Sequence, residues 1–143
     1  MSLTLEEALR AALDDEYHAR ATYRAILDAF GDVRPFVNII ESEERHIEAL
    51  RRQFEKHGFA EPGDSWAGRV QAPESFARAC EAAVEAEREN ATLYDKLIEA
   101  AREHPGVQET FRRLRAASQE RHLPAFERAA RRGSGCGHGG RGR

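Results

Sequence analysis

Residues 41–50, ESEERHIEAL, break the pattern of the helix that contains them. Apolar residues at Phe36, Ile39, Ile40, Ile47, Leu50 and Phe54 mark one face by their three-and-four spacing. Glu43 and His46 fall in the middle of that face. A carboxylate and an imidazole aimed at a helix's own core require partners there. Residues 117–126, ASQERHLPAF, nearly repeat the stretch.

Four helices are expected around these two segments. Thr4 with Glu7 three residues on matches a capping box, so the first helix starts near Thr4 and ends near Phe30, before Gly31. The second starts at about Pro35 and runs to Lys56. Residues 58–72, GFAEPGDSWAGRVQA, hold Gly and Pro without a sustained period and read as a long connection. The third helix opens at Pro73 and runs to about Glu103, and the fourth covers Val107 to about Arg132. Pro124 removes the hydrogen bond to the Glu120 carbonyl, so a kink is expected just after His122. The remainder, residues 133–143, is a Gly/Arg-rich tail read as disordered, in which Cys136 and His138 sit between glycines.

The two halves resemble each other. Glu16 and Tyr23 are spaced as Glu87 and Tyr94 are, and Ser42, Glu44, Arg45, His46, Ala49 and Arg52 match Ser118, Glu120, Arg121, His122, Ala125 and Arg128 without a gap. Two helical hairpins joined by a long link make an all-α, antiparallel four-helix bundle over residues 1–132. About fifteen extended residues reach about 50 Å, enough to return along helices about 30 Å long. The link therefore serves as a crossover, which sets the first and third helices antiparallel.

Each helix carries a potential ligand on or beside its apolar stripe: Glu16, then Glu43 with His46, then Glu87, then Gln119 with His122. An unpaired buried carboxylate costs several kcal/mol, and a whole domain is stable by only about 5–15 kcal/mol. These carboxylates must be protonated, paired with arginine, or neutralised by metal. Arginine is the simplest neutraliser, and Arg20 lies one turn after Glu16. Glu87, however, has Asn90 and Ala91 at the corresponding positions, and the pattern recurs in both halves. Metal accounts for more of the pattern. Glu43 and His46 lie about one turn apart on one face, so the imidazole can bind one ion while the carboxylate bridges two. Carboxylates with one imidazole per metal suit iron or manganese better than structural zinc.

At this point the chain resembles the ferritin-like di-iron carboxylate superfamily, from the first helix through the fourth. Within it, residues 12–50, ALDDEYHARATYRAILDAFGDVRPFVNIIESEERHIEAL, look like a bacterial and archaeal family of unknown function. The superfamily pattern is Glu, then Glu-x-x-His, given twice. Glu16, Glu43 with His46, Glu87 and His122 match it, and Gln119 departs from it, standing where rubrerythrin- and bacterioferritin-like sites carry Glu. Ferritins themselves carry Gln on the fourth helix. Tyr23 resembles the tyrosine near ferritin sites, and together with Gln119 it is a candidate catalytic residue beside the ligands.

The resemblance implies a site for two iron ions, with manganese as the alternative, that oxidises Fe(II) or reduces dioxygen or hydrogen peroxide. The paired cysteine motifs of a rubredoxin iron site are missing from the sequence, so peroxide reduction would need a separate electron donor. Iron storage would need a homo-oligomeric cage. A bundle that binds metal without catalysis, or one whose polar layer is purely structural, is the alternative.

Composition narrows the field further. A formal net charge of −3, with charged residues of both signs interspersed, argues against a nucleic-acid binder, and GGRGR alone is a weak signal for one. The N-terminal residues lack a basic region and an apolar run, and no segment nears the length needed to span a bilayer. Two widely separated cysteines make no disulfide framework. A cytoplasmic location is expected.

Overall fold

A computed structural model describes residues 2–136. Its elements are α1 (Leu5–Phe30), α2 (Phe36–His57), α3 (Phe76–Ala100), α4 (Pro105–Ala117) and α5 (Leu123–Cys136), with a single π turn (Ser118–His122) joining the last two into one rod. These four rods form an all-α bundle. The tail is described only as far as Cys136, where it continues α5; residues 137–143, His138 among them, lie outside the described residues.

Local chemistry sets the ends. Thr4 and Glu7 form the expected capping box, with the Thr4 hydroxyl accepting from the Glu7 amide and the Glu7 carboxylate accepting from the Thr4 amide. Gly58 closes α2 in the left-handed conformation, with φ of 73°, where a Cβ would be strained. The third helix starts at Phe76 rather than Pro73, because Ser75 accepts a hydrogen bond from the Arg78 amide and so caps it. Likewise Pro105, not Val107, opens α4, at a first-turn position where its missing N–H costs nothing.

Pairings across the bundle fix the topology. Glu16 meets Tyr94 while Tyr23 meets Glu87, so α1 and α3 run antiparallel. Leu50 and Phe54, late in α2, pack in one cluster with Tyr94 and Leu97, late in α3, while the early residues Phe36 and Ile39 pack with Ala79 and Cys80. Helices α2 and α3 are therefore parallel, and the connection between them must travel the length of the bundle. It does so against α1. The Trp66 indole donates to Asp14 over 2.9 Å, and Arg20 reaches Asp64 over 3.0 Å.

The core divides in two. One cluster centres on Leu9, Leu13, Leu50, Phe54, Leu97 and Phe111, the other on Tyr23, Ile26, Phe36, Cys80 and Phe126. Truncating a fully buried aromatic such as Phe54 or Phe126 to Ala costs about 3–5 kcal/mol. Between the clusters lies a buried polar layer of Glu16, Ser42, Glu43, His46, Glu87, Ser118 and His122.

Candidate metal centre

The layer is built at mid-height of each rod, from the positions that interrupt the apolar stripes. Glu16, Glu43, Glu87 and His122 are each at most 4% exposed and His46 is 9% exposed. Their ligand atoms fall into two groups that share one residue. Glu16, Glu43 and His46 make the first; Glu43, Glu87 and His122 make the second.

The shared carboxylate gives one oxygen to each group. His46 Nδ1 lies 3.3 Å from Glu43 Oε1 and 3.4 Å from Glu16 Oε1. His122 Nδ1 lies 3.8 Å from Glu43 Oε2 and 3.6 Å from Glu87 Oε2. Both imidazoles thus present Nδ1 to the carboxylates. Glu43 Oε1 and His122 Nδ1 are buried without any hydrogen-bond partner, a costly state for a polar atom unless something else is to be bound.

Arginine does not neutralise the layer. Arg20 bonds Glu44 over 2.7 Å and Asp64 over 3.0 Å on the outside of the bundle, and Arg24 bonds Glu44 over 3.0 Å. Among the described residues no arginine or lysine pairs with Glu16, Glu43 or Glu87. Protons and phenols carry the load instead. Burial and the charge of Glu16 push the Glu43 carboxyl well above the usual range, so it keeps its proton. Burial also opposes ionisation of Glu16, but hydrogen bonding, with Tyr94 donating over 2.7 Å, overcomes it and holds that carboxyl low.

Two tyrosines cross between the halves. Tyr23 donates to Glu87 Oε2 and Tyr94 to Glu16 Oε2, each over 2.7 Å. Burial and the adjacent carboxylate charges push both phenols well above their usual values, so they act as donors. Tyr23 also packs against Phe36 and Phe126, so it serves the core and the polar layer together.

Gln119 sits beside the layer, facing the backbone. Its Nε2 donates to the Glu87 carbonyl over 2.7 Å and to Ser118 Oγ over 2.9 Å, while Ser118 donates to Glu87 Oε1 over 2.5 Å. The π turn explains the arrangement. Pro124 has no N–H, and its ring would crowd the Glu120 carbonyl in a regular helix. The chain widens by one residue just before it, with the Leu123 amide bonding the Ser118 carbonyl. The kink expected after His122 is thus resolved as a π turn that ends at His122, and Ser118 is buried beside Glu87.

Two residues of the layer, Ser42 and Ser118, and one bonded to it, Tyr94, were missed as site residues from sequence. Tyr94 carried a signal, because it repeats the spacing of Tyr23 after a buried Glu. The serines carried only their place in the repeat. A cavity of about 170 Å3 opens between α1 and α3, where exposed His18 and partly buried Asp15 and Asn90 lead to buried Tyr23, Glu43 and Glu87.

No family model and no curated protein matches the chain. Solved structures do. A bacterioferritin from Desulfovibrio desulfuricans, described with its diiron site in different catalytic states, superposes with a TM-score of 0.82 at 20% identity, covering 93% of this chain and 81% of that one. The fold is ferritin-like. The bacterioferritin BfrA of Mycobacterium tuberculosis matches with a TM-score of 0.77 at 17% identity, over 96% of this chain and 92% of that one. The hypothetical protein MJ0754 from Methanococcus jannaschii gives 0.80 at 20% identity, over 94% and 85%. In this ferritin-like bundle the buried Glu/His groups resemble a di-metal site. No helix among the described residues is long and apolar enough to cross a membrane.

Proposed function

We propose that the polar layer binds two metal ions, iron in the first instance, and oxidises Fe(II) with dioxygen or hydrogen peroxide. One observation carries the reading: two groups of buried ligand atoms share Glu43, and no arginine or lysine among the described residues balances their charge. The donor set of carboxylates with one imidazole per group suits iron or manganese. Glu16 with His46 would hold one ion, Glu87 with His122 the other, and Glu43 would join them. When bound, the metal pair supplies the electrons: two ferrous ions and two protons reduce one hydrogen peroxide to two waters.

The chain's own groups set the surroundings of that chemistry. Tyr94 holds Glu16 by Oε2 and leaves Oε1 on the side of His46, whereas Glu87 is held at both oxygens, Oε2 by Tyr23 and Oε1 by Ser118. The proton kept by Glu43 must leave before that carboxylate can bridge, so metal binding releases it to solvent. Gln119 anchors the fourth rod to the Glu87 carbonyl and ligates at most weakly. The cavity of about 170 Å3 between α1 and α3 has room for an oxidant of two heavy atoms beside Glu43 and Glu87.

The experiment is to load Fe(II) without oxygen, add stoichiometric hydrogen peroxide or dioxygen in separate runs, and follow ferric absorbance together with oxidant consumed. One peroxide consumed per two irons oxidised, faster than free Fe(II) in the same buffer, supports the reading. Tight metal binding without accelerated oxidation would leave a metal-binding bundle that is not a catalyst.

A further inference from the structure

The two imidazoles present Nδ1 to the carboxylates and Nε2 to a common point. Ser42 Oγ lies 3.2 Å from His46 Nε2 and 3.0 Å from His122 Nε2, and all three side chains are buried. The rings lie nearly parallel, 22° apart, with centroids separated by 5.6 Å. Ser118, which stands where the duplication would place a second such hydroxyl, is bonded to Glu87 instead. One hydroxyl therefore serves both histidines.

Its chemistry is restrictive. A serine hydroxyl has one hydrogen to give and two lone pairs to receive with. It cannot donate to both Nε2 atoms at once, so at least one of the two rings must carry its hydrogen on Nε2. It can accept from both, and that state leaves both Nδ1 lone pairs free on the side of the carboxylates. We infer that Ser42 is a positioning residue shared by the two metal positions, which fixes both imidazoles for ligation through Nδ1 and so couples the positions through a single hydroxyl. The inference rests on the metal reading above and adds to it a residue outside the ligand set.

Removing the hydroxyl changes the balance at both rings. Without Ser42 the nearest hydrogen-bond partners of each ring are the carboxylates facing Nδ1, and a hydrogen held there blocks ligation. Partners of this kind are worth between about 10- and 100-fold in metal affinity. If each ring had its own partner, loss of Ser42 would weaken only the position held by His46, its neighbour on the same helix.

The test compares wild type with Ser42→Ala, Ser42→Thr and Ser118→Ala. Proton–nitrogen correlation spectra of the metal-free proteins read the ring tautomers, and Mn(II) titration reads the two binding steps. The expected result is that Ser42→Ala shifts both rings toward the Nδ1–H form and weakens both Mn(II) steps by about 10- to 100-fold. Ser42→Thr should retain the wild-type tautomers, and Ser118→Ala should leave them unchanged. Unchanged tautomers in Ser42→Ala, or an effect confined to His46, would overturn the inference. Failure of the wild type to bind Mn(II) or Fe(II) would sink the metal reading, while the tautomer comparison still decides the role of Ser42. Should Ser42→Ala not fold, Ser42→Cys, whose thiol is a weak acceptor, makes the same comparison.

Discussion

Tyr94 on α3 gives its phenolic hydrogen to Glu16 on α1 across 2.7 Å, and this bond has a mirror in the other half, where Tyr23 on α1 gives its own to Glu87 on α3. Each hairpin supplies the donor for the other's carboxylate, so the layer is tied together across the antiparallel pair. Hydrogen bonds to charged groups are worth about 1.5–3 kcal/mol each. Phenylalanine fills nearly the same space, so Tyr94→Phe should lose about that much stability through the bond alone. Urea unfolding of the metal-free protein measures it. A change within about 0.5 kcal/mol, the range of an ordinary surface substitution, would show the bond to be energetically idle.

Asp15 gives the pH dependence. Burial and the charge of Glu16 push its carboxyl up to about 7, although Asn90 donates to it over 2.8 Å. A group whose folded value lies above its unfolded value binds its proton more tightly in the native state. Its contribution is therefore fully present below about pH 4 and is lost as pH rises through 7. Asp15→Asn, which keeps an acceptor for Asn90, should flatten that decline. Compared with wild type, the variant should gain about 1–3 kcal/mol between pH 4 and pH 8 in unfolding experiments with a chelator present. Parallel stability profiles for the two proteins would contradict the assignment.

Gln119 offers a test of the departure from the duplicated pattern. Its amide donates to the Glu87 carbonyl and to Ser118, and a carboxylate there would set an acceptor against an acceptor. Gln119→Glu should therefore destabilise the metal-free protein at neutral pH by about 1–3 kcal/mol, the cost of an unsatisfied buried polar group. Binding of a divalent ion would relieve part of that repulsion. The melting temperature without metal should fall, and the rise on adding Mn(II) should exceed that of the wild type. Equal shifts in both proteins would place residue 119 outside the influence of the metal.

The sequence carried the fold because the apolar stripes are regular and their interruptions are few. Thr4, Gly31 and Gly58 mark helix ends by local rules that tertiary packing did not override, whereas Pro105 opens α4 two residues before the expected Val107. Glu16, Glu43, His46, Glu87 and His122 stood out as ionisable residues on faces that otherwise hold Leu, Ile and Phe, and the structure gathers all five in one layer. The pairing across helices was hidden. Tyr23 reads as a candidate beside the ligands of its own helix, and only the antiparallel register of α3 shows that its hydroxyl ends on Glu87. Ser42 was silent for another reason: a serine is small enough to sit on an apolar face without disturbing the pattern. Pro124 announced a disturbance in the fourth rod, but whether the chain would bend or widen depends on what Ser118 and Gln119 can bond across the bundle.

The two groups of ligand atoms around Glu43 are the centre of the account, and stoichiometry tests them most directly. Anaerobic titration of the metal-free protein with Fe(II), read by calorimetry, should saturate at two irons per chain. Glu43→Ala should weaken both binding steps, because that carboxylate gives an oxygen to each group, while Glu16→Ala should weaken one. Saturation at a single iron, or no binding at all, would contradict a shared two-metal centre and leave the buried Glu43 and His122 atoms without an explanation.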